Sequence, residues 1–486
     1  MPREQVYALR PFGWENDPEE ERFKLSTLDY LTGCTYTNFF LFFRLRDDEK
    51  QHAIEVLRLG LERTLSQTRP LCGIIERDPQ GGHSFVKKRD STVKFVVQWL
   101  DGAEDADKYP SIDDLAKGHF RGTQLGDFDT WTVSPMTYGE KPEAHPDSKP
   151  VVAAFKANFV RGGLVLVMHH HHYANDIMGW AGEAFQVAEN CYAVRHGTEF
   201  PPWDVKACLD LSRLTKRDPA EGDKVDGPPP QVRHPEHTGA QSLLFHCPRS
   251  KAAALKDLAR PQDGSWVSTY DAFVAFVWRA ITRIRAPAFA PDPGARLFWG
   301  EAVDLRRRLH SPPVHPRLQG NVMYAALSSM SAVPQPTVCE LVSGWPLWQI
   351  ARYVRRMTDS VSQEDLDAQL EMVALVRDKA ALSVKVSAHP PLSLAVTDHR
   401  DISAVLDADF GFGRPVAYRH PIVFVTEGCM FVYPRRKGPE GEYRDDDGFE
   451  FTMAFEKRLA GDLLRDEEWN RWFEFLGVDV DYKEDE

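Results

Sequence analysis

The chain has 486 residues, of which 42% are hydrophobic and 27% charged, and it carries a net charge of −13. That length exceeds one ordinary hydrophobic core and points to two domains of roughly 200 residues each, in a composition typical of soluble globular proteins. The acidic balance argues against nucleic acid as a main partner, but it leaves room for a local basic pocket that holds a phosphorylated small molecule.

The opening stretch, MPREQVYALRPFGWENDPEEERF, lacks an apolar h-region, so no secretory signal is expected. No apolar run reaches the roughly 18–20 residues of a membrane span. Cys34, Cys72, Cys191, Cys208, Cys247, Cys339 and Cys429 are scattered, odd in number and never spaced C-x-x-C. A disulfide framework and a structural zinc site are therefore not expected, and a reducing, cytoplasmic compartment fits best.

Elements follow in chain order. Asn38–Phe43 reads as a buried strand, and Leu164–Met168 as another, entered by the turn Gly162-Gly163. After Asp176 the apolar period changes: Ile177, Trp180, Ala184, Val187, Cys191 and Val194 recur at helical spacing. Asp176 stands at the N-cap position and Gly197 at the end of that helix. Residues 217–241 are rich in Pro, Gly and charge without apolar periodicity, and they are expected to form an exposed crossover between residues 1–216 and 242–486. Beyond it, Phe273, Phe276, Val277, Ala280 and Ile284 predict a helix, with Ser268 and Asp271 in a capping arrangement. Ile422–Val425 and Phe449–Phe455 are strand-like, the latter alternating as a half-buried strand should. A closing helix is expected from about Asp466, carrying Trp469, Trp472 and Phe473. Both halves are thus mixed α/β layers.

Between the strand that ends near Met168 and the helix that follows Asp176 stands VMHHHHYAND, residues 167–176. On a strand His169 and His171 share one face, and His170 and His172 the other. An H-x-H pair can bind zinc, but a site needs a third ligand, and the sequence has neither H-E-x-x-H nor a second histidine cluster to supply it. A polar strand end is the plainer reading. A catalytic base is the third, because imidazole takes up a proton near neutral pH and strand ends in α/β proteins commonly carry chemistry.

His171-His172-x-x-x-Asp176 resembles the H-H-x-x-x-D signature of the BAHD family of acyl-CoA-dependent acyltransferases. Asp409-Phe410-Gly411-Phe412-Gly413 resembles the family's D-F-G-W-G, and Ala302–Arg306 its V-D-x-R segment, with Gly320-Asn321 downstream. Val267–Asp271 and Leu25–Asp29 also match, so the resemblance runs in order through nearly the whole chain. It is nearest the fungal branch that includes trichothecene 3-O-acetyltransferase. Two positions depart from the pattern: Ile177 stands where the family often has Gly, and Phe412 where it has Trp.

The resemblance implies two similar chloramphenicol-acetyltransferase-like α/β domains, each a mixed sheet flanked by helices, with a channel between them. It implies acyl-CoA, by default acetyl-CoA, as co-substrate, with no permanently bound cofactor and no metal. A small-molecule alcohol, such as a fungal terpenoid, polyketide or alkaloid, would be the acceptor of a cytoplasmic monomer. His172 becomes the general base in a ternary complex. Asp176 would point away from it and pair with Arg306. His171, Arg306, Asp409, Gly411 and Gly413 would be structural, and the last two would serve a tight turn. Ser268 and Thr269 either meet the CoA phosphates at a helix N-terminus or form a plain cap. The loops Trp131–Lys149 and Val376–Val396 are expected to shape the acceptor pocket. Two alternatives stay open: a condensation-type transferase with a carrier-protein-bound donor, and a non-catalytic binding protein on the same fold.

Overall fold

A computed structural model describes residues 2–137, 142–382, 385–422, 425–438 and 441–481. Two mixed sheets dominate. The first has six strands in the order Arg3–Leu9, Val93–Trp99, Ala153–Val160, Gly163–His171, Tyr36–Arg44 and Ala417–Arg419. Only the second and third of these run parallel to each other. The second sheet has seven strands: Met323–Leu327, Trp299–Asp304, Leu394–Asp398, Cys429–Arg435, Phe449–Glu456, Ala240–Cys247 and Glu474–Asp481. A small three-stranded sheet, Glu20–Lys24, His83–Lys88 and Ile74–Arg77, pairs with neither, and its Ile75 and Phe85 pack into the core beside the first.

The apolar run around Phe39–Phe43 forms a strand buried on both faces, paired along its length with the histidine-bearing strand Gly163–His171. Gly162 takes φ +73° in the turn before it, a backbone state open to glycine. Helix Ile177–His196 covers one face, capped by Asp176 and closed by Gly197 at φ +61°. Helix Thr269–Phe289 starts in a capping box of Ser268 and Asp271, as its sequence predicts, and fills the core of the second layer.

Three expectations are corrected. The crossover is two residues shorter than its composition suggested, because Ala240 already pairs in the second sheet. The closing segment is helical only over Glu467–Asn470 and then becomes the strand Glu474–Asp481. Trp469, Trp472 and Phe473 are core residues there, meeting Phe245, Phe276 and Phe451 edge-on. Of the strand-like run Ile422–Val425, Val423 and Phe424 lie outside the described residues, and Ile422 and Val425 belong to no strand.

Phe449–Glu456 is a strand, but all eight residues are buried rather than every other one. It lies between two neighbours inside the sheet, and its polar positions are neutralised internally. Glu450 Oε2 accepts from Arg419 Nη2 at 2.5 Å, and Glu456 Oε2 from Arg285 Nε at 2.8 Å. The first pair joins the two large sheets, since Arg419 lies on the edge strand of the six-stranded one. A second tie comes from Asp479 Oδ1, which accepts from the Gly122 N–H at 2.7 Å.

Glu450→Ala would leave Arg419 as a buried unpaired charge, a loss of about 3–5 kcal/mol. The urea midpoint should fall clearly, and less so for Glu450→Gln, which keeps an acceptor. An unchanged midpoint in the alanine variant would show that this pair does not hold the sheets together.

Candidate active site

The four histidines have four separate fates. His169 donates from Nδ1 to Asn38 Oδ1 at 2.7 Å, and its Nε2 accepts the Val133 N–H at 3.2 Å. His171 Nε2 donates to the Ala144 carbonyl at 2.8 Å, and its Nδ1 accepts the Tyr173 N–H. Both rings are thus consumed on both nitrogens, which removes the H-x-H metal pair. Burial pushes His169 down to about 3 and His171 to about 4, so both are neutral pins holding the 131–149 loop against the strand. His170 does not reach the channel: it is fully buried, with Nε2 3.0 Å from Glu183 Oε1, and Glu183 also binds Asn175.

His172 lies just past the strand end and is half-buried. It lines a cavity of about 1210 Å³ whose walls come from both sheets. Thr37 and Phe39 face it from the first sheet, and Val303, Thr397 and Phe431 from the second. The ring Nδ1 is buried within the protein, which leaves Nε2 as the nitrogen available to a ligand. Burial holds this imidazole below its usual value, against an opposing pull from nearby backbone and from Asp176. No described residue of the loops Trp131–Lys149 and Val376–Val396 lines the cavity, contrary to expectation. The first loop is pinned to the sheet by His169 and His171, and residues 138–141 and 383–384 lie outside the described residues.

Asp176 is turned toward Arg306. Its Oδ1 accepts from Gly179 N at 2.7 Å and Arg306 Nη2 at 3.0 Å. Its Oδ2 accepts from Arg306 Nη1 at 3.1 Å and Val322 N at 2.8 Å. With four donors already on it, this carboxylate has little capacity left to orient His172. Arg306 also binds the Leu318 and Gly320 carbonyls and Asp304. Gly179 is the glycine that this junction requires. A Cβ there would stand 2.4 Å from the Gly320 carbonyl oxygen, whereas Ile177 at the neighbouring turn faces the cavity.

Two further residues had been noted in motifs without a role. Asn321 Nδ2 donates to the carbonyls of His172 and Tyr173, each at 3.0 Å, and to Asp29 Oδ1 at 2.9 Å. Burial pushes the Asp29 carboxyl up to about 7, while bonds from Asn321 and Ser26 pull it back. Together they fix the backbone that carries His172.

Ser268 Oγ accepts from the Asp271 N–H and from Arg355 Nη2 at 3.0 Å, so its hydroxyl serves the cap; Thr269 faces the cavity beside it. Lys256, Arg307, Arg308, Arg355 and Arg400 also line this cavity. Arg355 and Arg400 are engaged by Asp271 and Asp398, whereas Lys256 and Arg307 have no carboxylate partner among the described residues. Lys256 and Arg355 flank the exposed Trp266 ring at 5.6 and 5.0 Å from its centroid. Asp409, Gly411 and Gly413 lie elsewhere. Asp409 Oδ1 accepts the Gly411 N–H at 2.8 Å in a tight turn, and Gly411, at φ +80°, packs against Cys191 and Arg195. Those residues lie about 22–28 Å along the helix from Asp176.

Asp176→Ala and Arg306→Met should each destabilise by about 3–5 kcal/mol and abolish activity through displacement of the His172 segment. The double variant should be more stable than the sum of the two losses predicts, because it removes both members of the buried Asp176–Arg306 pair together. Strict additivity in urea unfolding would refute the pair as a unit.

A family model described as Transferase family matches residues 15–454. Acetyltransferase FGR3 of Gibberella zeae is 60% identical over 480 residues, covering 99% of this chain and 95% of the relative. Trichothecene 3-O-acetyltransferase TRI101 of Fusarium sporotrichioides is 26% identical, covering 91% of this chain and 94% of the relative. The fold matches the crystal structure of F. graminearum TRI101 complexed with Coenzyme A and T-2 mycotoxin, with a TM-score of 0.75 at 22% identity over 94% of this chain and 100% of that one. On the extent of the family match and the identity to its relative, the chain belongs to the Transferase family, the BAHD acyltransferases.

Proposed function

We propose that the protein is an acyl-CoA-dependent O-acetyltransferase that acts on a hydroxyl of a fungal secondary metabolite. The observation that carries this reading is His172, with its outer ring nitrogen available, on the wall of a two-sheet cavity that also carries Lys256 and Arg307, which have no carboxylate partner among the described residues. Lys256 and Arg307 supply positive charge for the CoA phosphates in a chain of net charge −13, and the N-terminus of helix Thr269–Phe289 adds its free N–H groups. The relatives named as acetyltransferases, and the TRI101 complex with Coenzyme A and an acceptor, support acetyl-CoA as donor and an alcohol as acceptor.

In this reading His172 Nε2 takes the proton of the acceptor hydroxyl as its oxygen attacks the thioester carbonyl carbon. The tetrahedral intermediate then expels the thiolate, which recovers the proton from His172. The products are the ester and free CoA, with no acyl-enzyme. Asp176 and Arg306 act as structural supports. The two halves, joined by a crossover ending at Gly239, work as a cytoplasmic monomer. No helix among the described residues is long and apolar enough to cross a membrane.

Thiol release from acetyl-CoA with a panel of hydroxylated terpenoids and polyketides tests the reading. Acceptor-dependent release is expected from the wild type and at least a 100-fold loss, on the order of general-base catalysis, from His172→Ala. Equal activity in both would remove His172 as the base. Turnover only with a carrier-protein donor would move the assignment to a condensation-type transferase.

The pH profile follows from the lowered His172 value. The neutral base persists below pH 6.5, so kcat/KM should fall only on the acid side of that point. An acid limb centred above pH 7 would contradict the assignment.

A further inference from the structure

Three residues that the proposed mechanism does not use meet beside the cavity. Thr397 lies at the end of strand Leu394–Asp398 and lines the cavity that His172 faces. His399, two residues on, is buried, with Nε2 3.3 Å from Thr397 Oγ1 and Nδ1 3.0 Å from Tyr418 Oη. Tyr418 is also buried and comes from the edge strand of the other sheet.

Hydrogen-bond accounting fixes the direction of this chain. Among the described residues the Tyr418 hydroxyl has no partner besides His399 Nδ1. A buried O–H with no acceptor costs about 1–3 kcal/mol, so the phenol donates and Nδ1 accepts. A neutral imidazole then carries its proton on Nε2. Burial, with His420 and His172 nearby, keeps His399 neutral by holding it well below its ordinary value. The Nε2–H therefore donates to Thr397 Oγ1. That oxygen is occupied as an acceptor, and the Thr397 hydroxyl hydrogen has no acceptor among the described residues. The space it meets is the cavity.

We propose that His399 is a positioning residue: held in its Nε2–H tautomer by Tyr418, it makes Thr397 a dedicated hydrogen-bond donor to an oxygen atom of the substrate bound beside His172. The reverse orientation, with Nδ1–H facing the phenol, would strand the tyrosine proton and turn the threonine hydroxyl back onto His399. The substrate part of this proposal rests on the transferase reading, whereas the tautomer does not.

Two measurements test it. Nitrogen-15 imidazole spectra of the full chain, with His399 assigned by its loss in His399→Gln, should show a bare Nδ1 and a protonated Nε2. Tyr418→Phe should shift His399 toward the other tautomer. A protonated Nδ1 in the wild type would overturn the proposal even if no acceptor were known. In the transferase assay, Thr397→Val and His399→Phe should each lower kcat/KM by about 10–100-fold, the worth of one hydrogen bond to a charged or developing-charge oxygen. The double variant should be no worse than Thr397→Val alone, while Thr397→Ser and His399→Gln, which keep a donor, should recover most of the loss. Additive losses, or no rescue by the conservative variants, would overturn it. A wild type inactive with every donor and acceptor would count against the transferase reading alone, since the spectra still decide the tautomer.

Discussion

The buried contact between Asp176 and Arg306 is the constraint around which the site is built. The partners are 130 residues apart, and each is nearly saturated with hydrogen bonds. A buried charge pair adds little net stability against a well-packed apolar alternative. What it supplies here is register. The first turn of helix Ile177–His196 can meet the segment after strand Trp299–Asp304 in one way that leaves no charge unpaired. Gly179 allows the approach, because any side chain there would collide with the Gly320 carbonyl. Asn175 Oδ1 accepts the Gly320 N–H at 2.8 Å and closes the junction from the other side. His172, four residues earlier, takes its place as a consequence, with its carbonyl held by Asn321.

The electrostatics of the cavity follow from the same economy. Asp176 is paired with Arg306, and its charge favours protonation of the proposed base against the opposing effect of burial. His399 and His420 line the same cavity and are kept neutral by burial, His420 at about 4. A proton arriving on His172 therefore meets neutral rings, not competing cations. The cations gather where helix Thr269–Phe289 begins, and there a net acidic chain presents a positive surface to a phosphorylated ligand.

Much of this was legible in the sequence, for physical reasons that can be named. The double-sided burial of Phe39–Phe43 and the period change at Asp176 fixed a strand and a helix, because apolar spacing encodes both directly. The spacing His172-x-x-x-Asp176 singled out the proposed base and its neighbour, and the family resemblance turned the aspartate toward Arg306. Other features had no local signal. Glu450 looked like the solvent side of a strand, since alternation cannot distinguish water from a buried arginine on another element. Trp469, Trp472 and Phe473 gave a helical spacing, but only four residues are helical, because the chain turns to add a strand beside Ala240–Cys247. Tyr418 and His399 are 19 residues apart and start from different sheets, so no periodicity announces their meeting.

Ile177 shows how a departure from a family pattern acquires meaning from geometry. As the first helical residue it follows the N-cap, where the backbone is already fixed by Asp176 accepting the Gly179 N–H. A β-branched side chain at such a position has little χ1 freedom. It therefore presents a stiff apolar surface to the cavity, beside Met178 and near the pocket face formed by Val314 and Met323. Glycine would have left that volume open. In the proposed reading the acceptor meets this surface with an apolar body while its hydroxyl reaches His172. The junction tolerates the substitution because its close approach falls on Gly179 two residues later. Pocket shape can thus vary at residue 177 without disturbing the ion pair beside the proposed base.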